Sequence, residues 1–303
     1  MRMREKQMRA HFWRGRGWLL VPILGVCAAL AVCTALAAAE PPAGPSLQQI
    51  LLGLDRTSYL YLDSALRFAC KETVLEWNRG SRSLHKFEYL FVYDKSRGFQ
   101  DYRMVVSKGQ RQPANPIGLG VRLFLERPYM WVLVFNRTRQ DKYRYQLLGT
   151  EKIGGVPTVQ VRFEPIPPYK ESINDWFGTA WIDPSTYQIV RVEAMKTEDF
   201  EEQSRLEKDR EEIALPPAEG PGRSYRIEQV STDFTVIKNG MRFPGKAKVV
   251  STLYYLPKRP EGRNPEEISE EHSAQTYSKY RFYGVRTFEE VQKILSPDKK
   301  PAR

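Results

Sequence analysis

Apolar and polar residues alternate with a period of two along much of this chain, which limits the folds open to it more than any other feature. In Val159-Gln160-Val161-Arg162-Phe163-Glu164 the alternation is unbroken. It places three apolar side chains on one face of a half-buried strand. Weaker alternation, rich in tyrosine and β-branched residues, predicts further strands over 87–93, 143–148, 226–236, 246–256 and 277–282. The chain is therefore expected to be mainly β.

Two turn sequences indicate how these strands connect. Asn239-Gly240 stands between residues 234–238 and 241–243, and this pair tolerates the positive φ angles of a tight hairpin turn. Asp183-Pro184-Ser185-Thr186 stands between residues 177–182 and 187–194, with proline where its fixed φ suits a turn. Consecutive hairpins predict an antiparallel sheet.

Helical patterns are few. Ser46 can cap a helix that carries Leu47, Ile50, Leu51 and Leu54 at helical spacing, and helical turns are also predicted over 59–66. The apolar stretch 118–135 is broken by Pro128. It predicts a short helix that ends near Glu126, followed by either a buried strand or a second helix.

Three segments are expected to lie outside the packed structure. Residues 197–213 hold eight acidic and three basic residues, a composition typical of an exposed helix or charged loop. Residues 258–273 are predicted to be another polar excursion, and residues 296–303 a disordered tail.

The N-terminus has the pattern of an export signal. Six basic residues against the single acidic Glu5 precede an uncharged run from Trp18 to Ala39, and small residues close that run. We expect cleavage after Ala39, which leaves residues 40–303 as a single domain with a charged insertion at about 197–222.

An uncleaved membrane anchor is the alternative, because the run is long enough to cross a bilayer. Cys27 and Cys33 each follow a valine, which argues against a lipoprotein signal. The protein is thus expected to be periplasmic or secreted, or else anchored in the inner membrane.

Removal of residues 1–39 changes the charge and cysteine count. It takes away 6 of 47 basic and 1 of 36 acidic residues, and it leaves 41 basic and 35 acidic residues. The two signs are mixed along the remaining chain, so no nucleic-acid partner is expected. Cys70 is then the only cysteine, which excludes an intramolecular disulfide, and it is expected to be a small buried apolar residue.

Catalytic and metal-binding patterns are missing from the sequence. His85 and His272 have no second histidine or cysteine at ligand spacing, and no nucleophile elbow, phosphate-binding glycine loop or zinc-protease motif occurs. Acidic pairs such as Glu201-Glu202 and Glu211-Glu212 fall in segments predicted to be solvated, whereas a general acid needs burial. Neither enzymatic activity, nor a metal, nor a cofactor is expected.

An excess of large apolar residues remains. It has two interpretations: an ordinary closed core, or a cavity that binds a hydrophobic ligand between the sheet and the segment that covers it. In the second case the expected lining residues are Phe91, Leu119, Leu123, Phe124, Trp131, Phe135, Phe163 and Leu253.

The order of these features resembles one known family. The helix Leu47-Gln48-Gln49-Ile50-Leu51, the hairpin from Gly178 to Glu193, and Asn239-Gly240-Met241-Arg242-Phe243-Pro244 together look like the outer-membrane lipoprotein-sorting family, with its LolA-like carrier fold. The resemblance spans most of residues 46–283.

This resemblance implies a curved, incomplete antiparallel β-barrel covered by a few helices, with an apolar cavity that shields acyl chains. The implied partners are lipids or lipoprotein acyl chains, with other envelope proteins and contact with a membrane also allowed. The expected role is that of a carrier or sensor. The alternative is a non-catalytic interaction module of the cell envelope with a closed core.

Overall fold

The computed structural model describes residues 44–65, 67–94, 98–107, 110–167, 176–196, 223–256 and 266–283. Helix α1 (Leu47–Leu60) begins with a capping box, in which the Ser46 hydroxyl accepts from the Gln49 amide and the Gln49 side chain accepts from the Ser46 amide. One π-helical turn (Tyr61–Ala65) continues it. The predicted N-terminal helix and the helical turns over 59–66 are confirmed.

Thirteen strands account for most of the described residues. They are β1 (Arg67–Trp77), β2 (Arg82–Asp94), β3 (Gly98–Ser107), β4 (Gln110–Pro113), β5 (Tyr143–Ile153), β6 (Val156–Pro165), β7 (Trp176–Asp183), β8 (Gln188–Lys196), β9 (Arg223–Asp233), β10 (Val236–Lys238), β11 (Met241–Phe243), β12 (Lys246–Leu256) and β13 (Glu266–Phe282). All six strands predicted from alternation and both predicted hairpins occur.

Eleven of these strands form one antiparallel sheet. Their order is β4-β3-β2-β1-β13-β12-β9-β8-β7-β6-β5, and β10 and β11 pair separately as a hairpin. In the described part of the chain no backbone pairing joins β4 to β5, so the sheet stays open. The expected class, a mainly β, curved and incomplete antiparallel barrel with a few helices, is confirmed.

The core lies against one face of this sheet, here called the inner face. Strand register shows which residues share it: Cys70 of β1 lies opposite Tyr89 of β2, and Val249 of β12 lies opposite Val230 of β9. Helix α1 covers part of this face, because Ile50 and Leu54 are buried in the same cluster as Val161 and Phe163. Burial of apolar area on this one face is the main source of stability.

The middle of the inner face is covered by residues 121–135, here called the covering segment. Residues 121–127 are irregular, and a 3₁₀ helix follows at Pro128–Leu133, with Pro128 in its first turn. The predicted short helix ending near Glu126 is therefore wrong. A single 3₁₀ turn, Ile117–Leu119, precedes the irregular residues. Gly120 ends that turn in the left-handed region at φ 86°.

A second expectation is also wrong, because residues 266–273 belong to β13 rather than to a polar excursion. Glu271 lies on the inner face opposite Ser251, while His272 lies on the other face opposite Val250. Both faces are polar here, so the apolar alternation that marks a strand is missing.

Several expectations fall outside the described residues. They are the export signal at 1–39, the charged segment 197–213, residues 258–265 of the predicted polar excursion and the tail 296–303. Within the described ranges, no helix is long and apolar enough to cross a membrane.

Candidate functional site

Five of the eight predicted lining residues come together on the inner face or over it. Phe91 and Phe163 belong to the sheet, whereas Leu123, Trp131 and Phe135 belong to the covering segment. All five are buried in one apolar cluster. These five residues share one core, and their predicted role in binding a ligand stays a prediction.

The other three predicted residues lie elsewhere. Leu119 is 48% exposed in the 3₁₀ turn. Phe124 packs against a smaller, separate cluster that includes Val74 and Phe87. Leu253 is half-buried, and its strand neighbours are Arg226 and Ser269 rather than apolar residues.

Aromatic side chains join the covering segment to the sheet. The ring centroids of Phe91 and Tyr129 are 3.7 Å apart, and those of Phe135 and Phe163 are 5.4 Å apart in an edge-to-face arrangement. Trp131 meets Trp176 edge-to-face at 5.1 Å. Such pairs contribute about 0.5–1.5 kcal/mol each beyond the area they bury.

Polar side chains of the sheet bind the backbone of the covering segment. The Leu125 amide donates to Gln275 Oε1 at 2.6 Å, and Gln275 Nε2 donates back to the Leu125 carbonyl at 2.9 Å. Glu76 Oε1 accepts from the amides of Arg122 and Leu123 at 2.8 and 2.7 Å. No β-ladder pairing with the sheet is made by residues 121–135, all of which are described. Glu76, Gln275 and Arg103 are called the anchoring residues below.

Arg103 is the third anchoring residue, and it is almost wholly buried. Its Nε lies 2.6 Å from Glu72 Oε2 and its Nη2 lies 3.0 Å from Glu72 Oε1, with the two side chains 5% and 0% exposed. The same Nη2 donates to the Glu126 carbonyl at 3.1 Å. A buried ion pair is tolerated only where its hydrogen-bonding groups are satisfied, and Gln275 Nε2 supplies another donor to Glu72.

Further along, the covering segment is fixed by hydrogen bonds of a similar kind. Trp131 Nε1 donates to Thr232 Oγ1 at 3.0 Å, and the Tyr145 hydroxyl donates to the Val134 carbonyl at 3.0 Å. The anchoring residues were not recognised from the sequence. The available signal was a polar residue at an inward strand position, as Glu76 is two residues beyond Val74.

Buried hydroxyl and thiol groups surround the ion pair. Burial raises the pKa of Tyr89, Tyr129, Tyr277 and Tyr280 well above the usual tyrosine value. Burial also raises the pKa of the Cys70 thiol, and the neighbouring Glu72 carboxylate raises it further. Cys70 is a free, buried cysteine, as expected, and the raised pKa makes it a poor nucleophile.

One end of the inner face is ionic rather than apolar. Lys196 Nζ lies 3.3 Å from Glu228 Oε2, and Arg226 Nη1 lies 3.0 Å from Glu271 Oε2. These side chains are all more than a quarter exposed. The inner face thus changes from an apolar, covered region to a solvated ionic margin, where Leu253 also lies.

No group of three potential metal-ligating side chains occurs within the described ranges. The inner face and the covering segment together contribute to one buried apolar cluster.

Comparison with known proteins gives likeness at the level of fold. No protein-family profile matches the chain, and no curated protein matches it. A DUF1329 family protein from Desulfovibrio piger is 11% identical, over 77% of this chain and 93% of its own, with a TM-score of 0.39.

Two further solved structures belong to the group named from the sequence. A LolA superfamily protein from Nitrosomonas europaea is 14% identical, over 83% of this chain and 98% of its own, with a TM-score of 0.34. A domain ascribed to outer-membrane lipoprotein sorting, from Vibrio parahaemolyticus, is 10% identical. The match covers 80% of this chain and 97% of that domain, with a TM-score of 0.38. Both structures carry names from the group that the sequence resembles.

Proposed function

We propose that this chain is a carrier or sensor in the cell envelope. It binds a hydrophobic cargo, a lipid or the acyl chains of a lipoprotein, on the inner face of the sheet. In this proposal residues 1–39 direct export, cleavage follows Ala39, and residues 40–303 act as one domain. The covering segment is the lid of the binding site.

The observation that carries the proposal is the way the covering segment is held. Its backbone is bound by side chains of the sheet, chiefly Gln275 and Glu76, and not by a β-ladder. Segments held by few backbone bonds open at lower free energy than strands in the centre of a sheet. Opening would expose apolar residues such as Phe91 and Phe163, which a bound acyl chain would cover again.

The direct test is mass spectrometry of lipids extracted from the purified protein. The proposal expects a defined lipid class at a fixed stoichiometry. Phe163→Asp, which places a charge on the inner face, should lose that lipid. Protein that is folded and carries no lipid, and that takes none up from detergent micelles, would contradict the proposal.

A matched pair of buried glutamines tests the lid. Gln275 and Gln188 are both at most 1% exposed. Gln275 binds the covering segment, whereas Gln188 accepts from the Arg242 amide at 2.7 Å and donates to the Gly240 carbonyl at 2.8 Å, in the β10–β11 hairpin. Methionine at either position keeps the side-chain volume similar and leaves backbone groups unsatisfied.

We expect Gln275→Met and Gln188→Met to lower the free energy of unfolding by similar amounts, about 2–4 kcal/mol. Only Gln275→Met should speed the exchange of a fluorescent fatty acid, because only it frees the lid. Stability is measured by urea denaturation and exchange by stopped-flow fluorescence. Equal exchange rates in the two variants would argue against a lid.

The closed interaction module is the second candidate, favoured by a specific observation. Phe91, Phe135 and Phe163 are all 0% exposed and already packed, as in an ordinary core. Under this alternative both glutamine variants lose stability, and neither the parent nor the variants bind lipid. The two measurements together therefore separate the candidates.

A further inference from the structure

The hairpin between β1 and β2 ends in a rigid, exposed turn, residues 77–82, here called the hairpin tip. The Asn78 amide donates to the Ser81 carbonyl at 3.1 Å, and Asn78 Oδ1 accepts from the amides of Gly80 and Ser81 at 3.1 and 2.9 Å. A surface groove of about 570 Å³ is lined by the tip and by Leu75. The tip therefore presents a fixed surface.

Three arginines are concentrated at this surface. Arg79 and Arg82 lie in the tip and Arg122 lies beside it in the covering segment, and all three are exposed. None of the three forms an ion pair with another residue in the ranges that the structure describes. The nearby Glu76 is occupied, since its oxygens accept from the Ser83 hydroxyl and from the amides of residues 122 and 123. Glu270 lies 3.3 Å from the His272 imidazole, and within the described ranges it forms no ion pair with the three arginines.

Apolar side chains lie on the same face of the hairpin as Arg82. Trp77 is opposite Arg82, and Leu75 is opposite Leu84 two residues further along, so the four side chains point to one side. Leu84 is 57% exposed. The Trp77 ring is stacked on the His272 ring, with centroids 5.1 Å apart, which holds the indole in place.

This combination fits the surface of a bilayer. Arginine side chains reach lipid phosphates, while indole and leucine enter the first methylenes beneath the headgroups. An acidic peptide would satisfy the cations but would give no reason for an exposed leucine beside a fixed tryptophan. We infer that the hairpin tip docks on a membrane surface that contains anionic phospholipid.

The inference deepens the proposed function and rests on it, because docking would take place next to the lid. Glu76 immediately precedes Trp77 in β1, and it binds the first residues of the covering segment. A tip that sits in the headgroup region brings the anchored start of the lid to the membrane, where cargo enters or leaves.

The test compares two pairs of substitutions that each remove two exposed cations. Arg79→Ser with Arg82→Ser alters the tip. Lys152→Ser with Lys238→Ser is the control, because these lysines are exposed and lie towards the opposite ends of the strands. Binding of the full exported protein is measured by sedimentation with vesicles of phosphatidylcholine, alone or mixed with phosphatidylglycerol. Thermal unfolding confirms that each variant is folded.

We expect binding to the mixed vesicles and little to phosphatidylcholine alone. The tip variant should lower the partition coefficient about 20- to 30-fold, and the lysine variant no more than about two-fold. Leu84→Ser, which keeps the charge, should also weaken binding to the mixed vesicles.

Equal loss in both paired variants would overturn the inference, since it would indicate attraction by net charge alone. Release by inorganic phosphate, or stronger binding to polyglutamate than to the vesicles, would overturn it too, in favour of a phosphate or peptide site. If docking fails while co-purified lipid is retained, the hydrophobic-cargo proposal stands without it. If the parent protein carries no lipid, the hydrophobic-cargo proposal itself is wrong.

Discussion

Glu72 and Arg103 place a full ion pair inside the core. Each charge loses its hydration on burial, at a cost of several kcal/mol per ion. The cost is offset by two short hydrogen bonds between the partners and by the bonds to Gln275 and to the Glu126 carbonyl. The pair therefore joins β1 to β3, and through the Glu126 carbonyl it also holds the covering segment.

Removal of one charge alone should be costly. Arg103→Met leaves the Glu72 carboxylate buried without its partner, and we expect a loss of about 3–5 kcal/mol in the free energy of unfolding. Adding Glu72→Leu should restore much of this loss, because the unpaired charge is gone. Urea denaturation of the two single variants and the double variant measures the coupling. A double variant less stable than Arg103→Met would show that the pair stabilises the core itself.

At the scale of elements, α1 meets the turn between β7 and β8 at unusually close range. A Cβ atom at Gly53 would lie 2.1 Å from the ring of Tyr187, so only glycine allows this approach. Tyr187 itself has a positive φ of 54°, a conformation that disfavours most side chains. Both residues are thus constrained by the contact between helix and turn.

Gly53→Ala should destabilise the protein by about 1–3 kcal/mol, although alanine is the better helix former by about 1 kcal/mol. Tyr187→Gly in the same chain should recover part of the loss, because it removes the ring and suits the positive φ. Thermal unfolding of the parent, the single variant and the double variant is the measurement. A gain in stability for Gly53→Ala alone would mean that the helix packs less closely.

The elements that the sequence predicted correctly are those with a local cause. Ser46 and Gln49 cap α1, and Asn239-Gly240 turns β10 into β11, so neighbouring residues suffice to predict them. The start of β13 was missed because Glu271 on its inner face pairs with Arg226, 45 residues away. Such a strand has no apolar alternation.

The covering segment was predicted in position but not in form. Its apolar residues indicated burial, whereas its irregular backbone depends on Gln275, 150 residues beyond Leu125. A hydrogen bond over that separation has no trace in a local pattern. The burial of Phe91 and Trp131 could be predicted from their apolar side chains, whereas the contacts of the anchoring residues could not.

At the scale of the whole molecule, the core holds many tyrosines. Burial raises the pKa of Tyr61, Tyr89, Tyr129, Tyr145, Tyr277 and Tyr280. In the unfolded chain these hydroxyls ionise near pH 10. Their folded pKa is above the unfolded value, so their contribution to stability is complete below pH 10 and is lost as the pH rises further.

Above pH 10 the unfolded state releases protons that the folded state keeps, and each fully ionised tyrosine lowers the free energy of unfolding by about 1.4 kcal/mol per pH unit. We therefore expect a cooperative alkaline unfolding, in which tyrosinate absorbance and loss of near-ultraviolet circular dichroism rise together. Tyr280→Phe removes one such group together with its 2.7 Å hydrogen bond to the Pro244 carbonyl. This substitution should lower the free energy of unfolding at neutral pH by about 1 kcal/mol. Above pH 10 the free energy of unfolding should fall less steeply with pH, because one tyrosine fewer ionises. Ionisation of the buried tyrosines before unfolding would mean that solvent enters the core in the folded state, as it would if the lid were open at rest.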